Sequence, residues 1–129
     1  MEKLMTPLHL AMSVMLLCGY GWLIYRFAHK DADADTTTWE RGVAYLVRVL
    51  LLAVFLTGLM LTVLLQRPVH PFHHYAVAGP ILGVFALRLV PSFHKTGNVY
   101  RAYMWVFVFI ALCVLAVAAA AHLSILPKL

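Results

Sequence analysis

The chain has 129 residues, of which 64% are hydrophobic and 12% charged, and its mean hydropathy is +0.88. Soluble globular domains carry about 45–50% apolar residues, so this composition excludes a soluble enzyme, which would lack the polar surface to hide so much apolar area. Ten Lys and Arg against five Asp and Glu leave +5 with His neutral, but the cations stand singly between apolar runs. That spacing excludes a nucleic-acid surface and reads as membrane topology.

A hydrocarbon core of about 30 Å takes roughly 20 apolar helical residues, and the chain divides into four such spans. The first covers residues 7–27 (PLHLAMSVMLLCGYGWLIYRF). It exceeds the apolar region of a signal peptide, has only Lys3 before it and contains His9, so it reads as a span and not as a leader. A polar stretch from His29 to Gly42 separates it from the second span, 43–66. The third span covers 72–90 and the fourth 102–126, with short links around Arg67 and from Pro91 to Arg101. The apolar runs are continuous and show no period of two, which excludes a closed β-barrel.

Short links make successive helices antiparallel neighbours. The expected fold is therefore all-α: one transmembrane domain over 1–129, built as an up-down-up-down four-helix bundle. Lys3, Arg67 and Lys128 lie at one end of the spans. Arg26, Lys30, Arg41, Lys95 and Arg101 lie at the other, with Arg48 and Arg88 within reach of it. The positive-inside rule then places both termini outside and identifies a multi-pass protein of the cell inner (plasma) membrane. Trp22, Trp39, Trp105, Tyr100 and Tyr103 fall near the inner interface and read as anchors. Cys18 and Cys113 stand within apolar runs and read as small buried hydrophobes rather than a disulfide or metal pair.

Seven histidines are a heavy load for such a chain, and five share one membrane depth: His9, His70, His73, His74 and His122. His9 and His122 lie three or four residues inside apolar runs, where a polar side chain faces the interior or finds a partner. His73 and His74 are adjacent and point about 100° apart on a helix, so one at most faces the bundle axis. His74 is preferred because it shares a face with Ala78, Ile81 and Phe85. His9, His74 and His122 thus form the candidate ligand set for haem iron or a metal ion. His70 in its turn, and His29 and His94 in the inner loops, read as solvated. Arg48 and Arg88 either snorkel to the interface or hold an anion such as a haem propionate, a quinone oxygen or a lipid phosphate.

The third span carries Gly79 and Gly83 as a G-x-x-x-G pair, a smooth face for close packing inside the bundle or in a homodimer. Pro80 beside it is expected to free a carbonyl and kink the helix. Thr57 with Gly58, and Ala116 to Ala121, offer similar small faces. No phosphate-cradling loop, serine or cysteine catalytic arrangement or CxxC pair is present, which points away from an enzyme.

With LHLAMSV opening the first helix, AVFLTGLMLTV in the second and YRAYMW entering the fourth, the chain resembles a group of small four-helix membrane proteins. These are the YisL-like, SirB-like and CopD-like families and the HemJ-type protoporphyrinogen oxidases. The layout shared with YisL-like proteins corresponds to His9, Arg48 and His122. Resemblance to the HemJ type implies haem b with His9 as the matching histidine; the third-helix lysine of that type has no counterpart in this chain. Resemblance to the CopD-like family implies copper handling, for which the methionines here are too scattered. Two functions follow as expectations: haem b, or else a metal ion, bound near the outer face for electron transfer, or a cofactor-free accessory subunit of a larger membrane complex. A pH-responsive histidine cluster is a third, weakened by the lack of an acid within the spans.

Overall fold

The structure is a computed structural model, and it describes residues 2–66, 73, 76–93 and 98–125, the side chains of 2, 93 and 121–125 excepted. Four helices and no strand occur among the described residues: α1 (Glu2–Ala28), α2 (Thr38–Leu59), α3 (Ala78–Phe93) and α4 (Val99–Ile125). A π-helical segment, Met60–Leu64, continues α2. Two residues beyond it, Gln66 has a φ of 49°, in the left-handed region that stops a helix. His70, His74, His94, Arg67, Lys95 and Lys128 lie outside the described residues, as does the side chain of His122.

Among the described residues three segments are long and apolar enough to cross a membrane: Lys3–Ala28, Thr38–Leu64 and Val99–Ala120. The described part of the expected third span is the 16-residue α3, about 24 Å long at 1.5 Å per residue. Its C-terminal end runs past the expected loop start at Pro91 to Phe93. Pro80 is its third residue, and helical backbone precedes it at His73 and Ala76, with the Val77 N–H donating to the His73 carbonyl. Pro91 also lies within α3.

Helix ends are set by side chains that replace missing backbone partners. Thr37 and Glu40 form a reciprocal capping box at the start of α2: the Glu40 N–H donates to Thr37 Oγ1 at 3.1 Å, and the Thr37 N–H donates to Glu40 Oε1 at 2.8 Å. At the start of α4, Asn98 Oδ1 accepts from the N–H groups of Tyr100 and Arg101.

Helix α1 is central, packing on α2 along one side and α4 along the other, while among the described residues the extended packing of α3 is on α4. The contacts of each pair run antiparallel. Gly58 meets His9 and Gly19 meets Val47 between α1 and α2, while Gly79 meets Cys113 and Gly83 meets Ile110 between α3 and α4. Tyr20 meets Phe107 and Phe27 meets Tyr100 between α1 and α4. Among the described residues α2 and α3 make no extended contact, so the helices are arranged in the order α2, α1, α4, α3.

Leu16, Tyr20, Leu23 and Phe27 recur at three- and four-residue steps along one face of α1 and are buried with Val47, Leu87, Phe107, Ile110 and Val114. The Phe27 ring gathers Tyr100, Tyr103 and Phe107 at centroid distances of 5.6, 6.1 and 5.5 Å, within the range where aromatic pairs add to area burial. The outward faces carry Leu10, Tyr45, Leu52, Phe85 and Leu112, all exposed. Cys18 is exposed as well, contrary to the expectation of a buried position, and Cys113 is half-buried against Gly79.

Candidate functional site

One end of the helices collects the N-terminal part of α1, the C-terminal part of α2 and the region of α4 around Val117. His9 lies half-buried there, turned toward α2, with its Nδ1 2.8 Å from Thr57 Oγ1. The Thr57 hydroxyl is also within 2.9 Å of the Ala53 carbonyl and 3.1 Å of the Val54 carbonyl, to which it donates. Its single proton is thereby committed to the α2 backbone, and its oxygen accepts from the His9 Nδ1–H. This selects the His9 tautomer with the proton on Nδ1 and the basic lone pair on Nε2.

Gly58 makes the approach possible. A Cβ at that position would stand 3.1 Å from His9 Cε1, tighter than ordinary contact, so the bare backbone of α2 forms the wall on which the imidazole rests. The TG pair in the second span is thus one device: Thr57 orients the ring and Gly58 makes room for it.

His73, just ahead of α3, is the second imidazole at this end. Its Nδ1 lies 3.0 Å from the Val117 carbonyl of α4. A carbonyl can only accept, so His73 Nδ1 carries a proton and, in the neutral ring, Nε2 is the basic nitrogen. His9 and His73 lie within electrostatic reach of one another. Two histidines from separate helical elements are therefore held in the same tautomer by acceptors on two further helices.

The structure brings His9 together with His73, the neighbour of the preferred His74. Arg48 and Arg88 do not join them. Arg48 is exposed on α2, nine residues before Thr57, or about 13 Å along the axis, and interacts electrostatically with Tyr20 and Tyr103. Arg88 is exposed on α3, toward the same far end. Among the described residues no group of three or more His, Cys, Asp or Glu is placed to hold a metal ion. Gly79 and Gly83 face α4 of the same chain, where added Cβ atoms would meet Cys113 Sγ at 2.6 Å and Ile110 Cγ1 at 2.3 Å. This small-residue face is used within the chain.

The opposite end holds a polar cluster that the sequence reading passed over. Glu40 is 1% exposed. Its Oε1 accepts from Lys30 Nζ at 2.7 Å and its Oε2 from Arg26 Nε at 3.4 Å, while Tyr100 Oη donates to the Ala34 carbonyl at 2.6 Å. Lys30 also lies over the Tyr100 ring, 5.2 Å from its centroid. These contacts bind the connection between α1 and α2 to both helices and to α4. The T-x-x-E spacing of Thr37 and Glu40 was the signal that could have located this cluster.

Comparison with protein families, with curated proteins and with solved structures finds no match to this chain.

Proposed function

We propose that this protein is a small cytochrome-like membrane protein that holds haem b at its histidine-bearing end and passes electrons through it. On this reading the four helices are an up-down-up-down transmembrane bundle of the cell inner membrane, with both termini outside. The observation that carries the proposal is the paired anchoring of His9 by Thr57 and of His73 by the Val117 carbonyl. Ligating imidazoles are held in this manner, with Nδ1–H on an acceptor that sets the tautomer, orients the ring and raises the basicity of Nε2. A subunit that used its histidines only to wet a helix end would turn them into the headgroups.

The donor set fits haem better than a metal ion bound by protein alone. Two neutral imidazoles such as His9 and His73 would suffice to hold haem iron, whereas a structural metal site takes more ligands. His74 and His122 would be further histidines to hold or support the group. Bound haem would supply reversible one-electron chemistry. The chain's part is to fix the two rings, to provide the glycine-lined wall at Gly58, and to exclude lipid and water from them.

The test is a dithionite-reduced minus oxidised visible spectrum of the detergent-purified protein expressed with ample haem, with metal content measured on the same sample. A b-type spectrum that is lost in His9→Ala and in either His73→Ala or His74→Ala supports the reading. A flat spectrum in a folded, metal-free protein overturns it. That result would favour the accessory-subunit reading, which the exposed apolar faces of α2 and α3 also support, and co-purification of a larger complex would then be the next measurement.

A further inference from the structure

At the end opposite His9, α3 and α4 diverge around a groove of about 590 Å³, within the roughly 300–1,000 Å³ range of sites that take a whole ligand. It is lined by Ala86 and Leu89 of α3 and by Arg101, Ala102, Trp105 and Val106 of α4, and Arg101, nearest the helix start, marks its headgroup-side mouth. We propose that this groove binds an anionic diacyl phospholipid, with an acyl chain against the apolar walls and the phosphate on the Arg101 guanidinium.

Three observations select this occupant. The first is depth: Arg101 stands in the first turn of α4, at the end of an apolar segment long enough to cross a membrane, so the mouth lies at headgroup level and the walls at acyl level. The second is charge. Among the described residues Arg101, which is exposed, has no side-chain partner and is the one charged residue lining the groove. Its planar fork of donors matches a phosphate. The N–H groups of Tyr100 and Arg101 are already taken by Asn98, so the side chain, and not the helix terminus, is the donor.

The third observation distinguishes lipid classes. The chain's five acids are Glu2, Asp31, Asp33, Asp35 and Glu40, and none lines the groove. A zwitterionic headgroup would bring an ammonium with no carboxylate to receive it, while an anionic headgroup brings only the charge that Arg101 can pair. Trp105, 63% exposed, adds an indole face at the level where aromatic side chains meet lipid.

The proposal does not depend on haem binding. Its test is retention of lipid by the full chain, reconstituted in nanodiscs of phosphatidylcholine with a minor fraction of phosphatidylglycerol, extracted in mild detergent, and examined by native mass spectrometry. Preferential retention of phosphatidylglycerol is expected. Arg101→Gln should reduce that preference about fivefold, the effect of one cation near a lipid surface, and Ala86→Phe should fill the groove and lower retention of both lipids. Arg41→Gln removes an exposed cation elsewhere at the same end and should leave the preference unchanged. An equal loss in Arg41→Gln and Arg101→Gln would reduce the effect to general surface charge and overturn the site. No preference in the parent protein, or retention of an isoprenoid quinone in place of phospholipid, would also overturn it.

Discussion

His9 and Thr57 are 48 residues apart in sequence and 2.8 Å apart across the interface of α1 and α2. The contact couples two structural levels. Thr57 is bound to its own helix through the Ala53 and Val54 carbonyls, so the orientation of an imidazole on α1 is dictated by the backbone of α2. Any relative sliding of these helices turns the ring.

Replacing Thr57 with Val keeps the shape and removes the hydroxyl. Interhelical hydrogen bonds in membrane proteins contribute about 0.6–2 kcal/mol, and a loss in that range is expected for Thr57→Val in denaturant unfolding in detergent. Thr57→Ser retains the acceptor and should stay within a few tenths of a kcal/mol of the parent. If haem is bound, Thr57→Val should also weaken its retention by about 10- to 100-fold, the usual effect of losing a group that orients a ligand. Equal stability of the Val and Ser variants would show that the contact contributes nothing.

A second prediction concerns the closest helix approach. A Cβ on Gly83 would lie 2.3 Å from Ile110 Cγ1, and that atom is the branch of a stiff side chain that is 0% exposed. Gly83→Ala is expected to destabilise by about 1–3 kcal/mol through overpacking. Ile110→Ala removes the obstructing atom and leaves a cavity of its own. The double variant should therefore be less destabilised than the sum of the singles, by at least about 0.5 kcal/mol. Additive effects would mean that the two residues do not press on each other.

The existence and order of the helices were legible because hydrocarbon thickness sets a length that continuous apolar runs either meet or miss. Their ends were less so. Thr38 to Gly42 reads as loop by hydropathy, yet it is helical because the Thr37 and Glu40 box nucleates the turn upstream of the apolar run. The π-helical turn at Met60–Leu64 leaves no mark in apolar periodicity. Packing was legible only in part: the antiparallel pairing of α1 with α2 follows from their short link, but the absence of extended contact between α2 and α3 among the described residues has no mark in the sequence. At the candidate site His9 was identifiable, since an imidazole inside an apolar run needs a partner. The contact of His73 was not, because its acceptor is a Val117 carbonyl on α4 that sequence does not reveal. Thr57 was read for its size; its hydroxyl stands 2.8 Å from His9 Nδ1.

Glu40 yields a third prediction. It is buried, and Lys30, 7% exposed, depends on it for charge compensation. Removing one partner of a buried pair typically costs about 3–5 kcal/mol. Glu40→Gln should fall near the lower end, since Gln can still close the capping box and Arg26 is 42% exposed and partly solvated. Glu40→Gln combined with Lys30→Met removes both charges and should recover part of the loss. Thermal unfolding of the four combinations in detergent checks this. A Glu40→Gln protein as stable as the parent would show that Lys30 finds compensation elsewhere.

Tyr20 gives the sharpest sign test. Its side chain is fully buried between α1 and α4, 5.9 Å from the Phe107 ring by centroids, and its hydroxyl has no hydrogen-bond partner among the described residues. A buried hydroxyl without a partner costs about 1–3 kcal/mol of desolvation, while the ring itself packs the interface. The two contributions can be separated by substitution. Tyr20→Phe keeps the ring and discards the burden, so stability should rise, by up to about 1 kcal/mol once the small volume left behind is counted. Tyr20→Leu discards both and should lose stability through poorer packing against Phe107. If Tyr20→Phe instead destabilises by more than about 1 kcal/mol, the hydroxyl has a partner in the membrane-embedded protein, and the burial of an unpaired group at the centre of α1 is wrong.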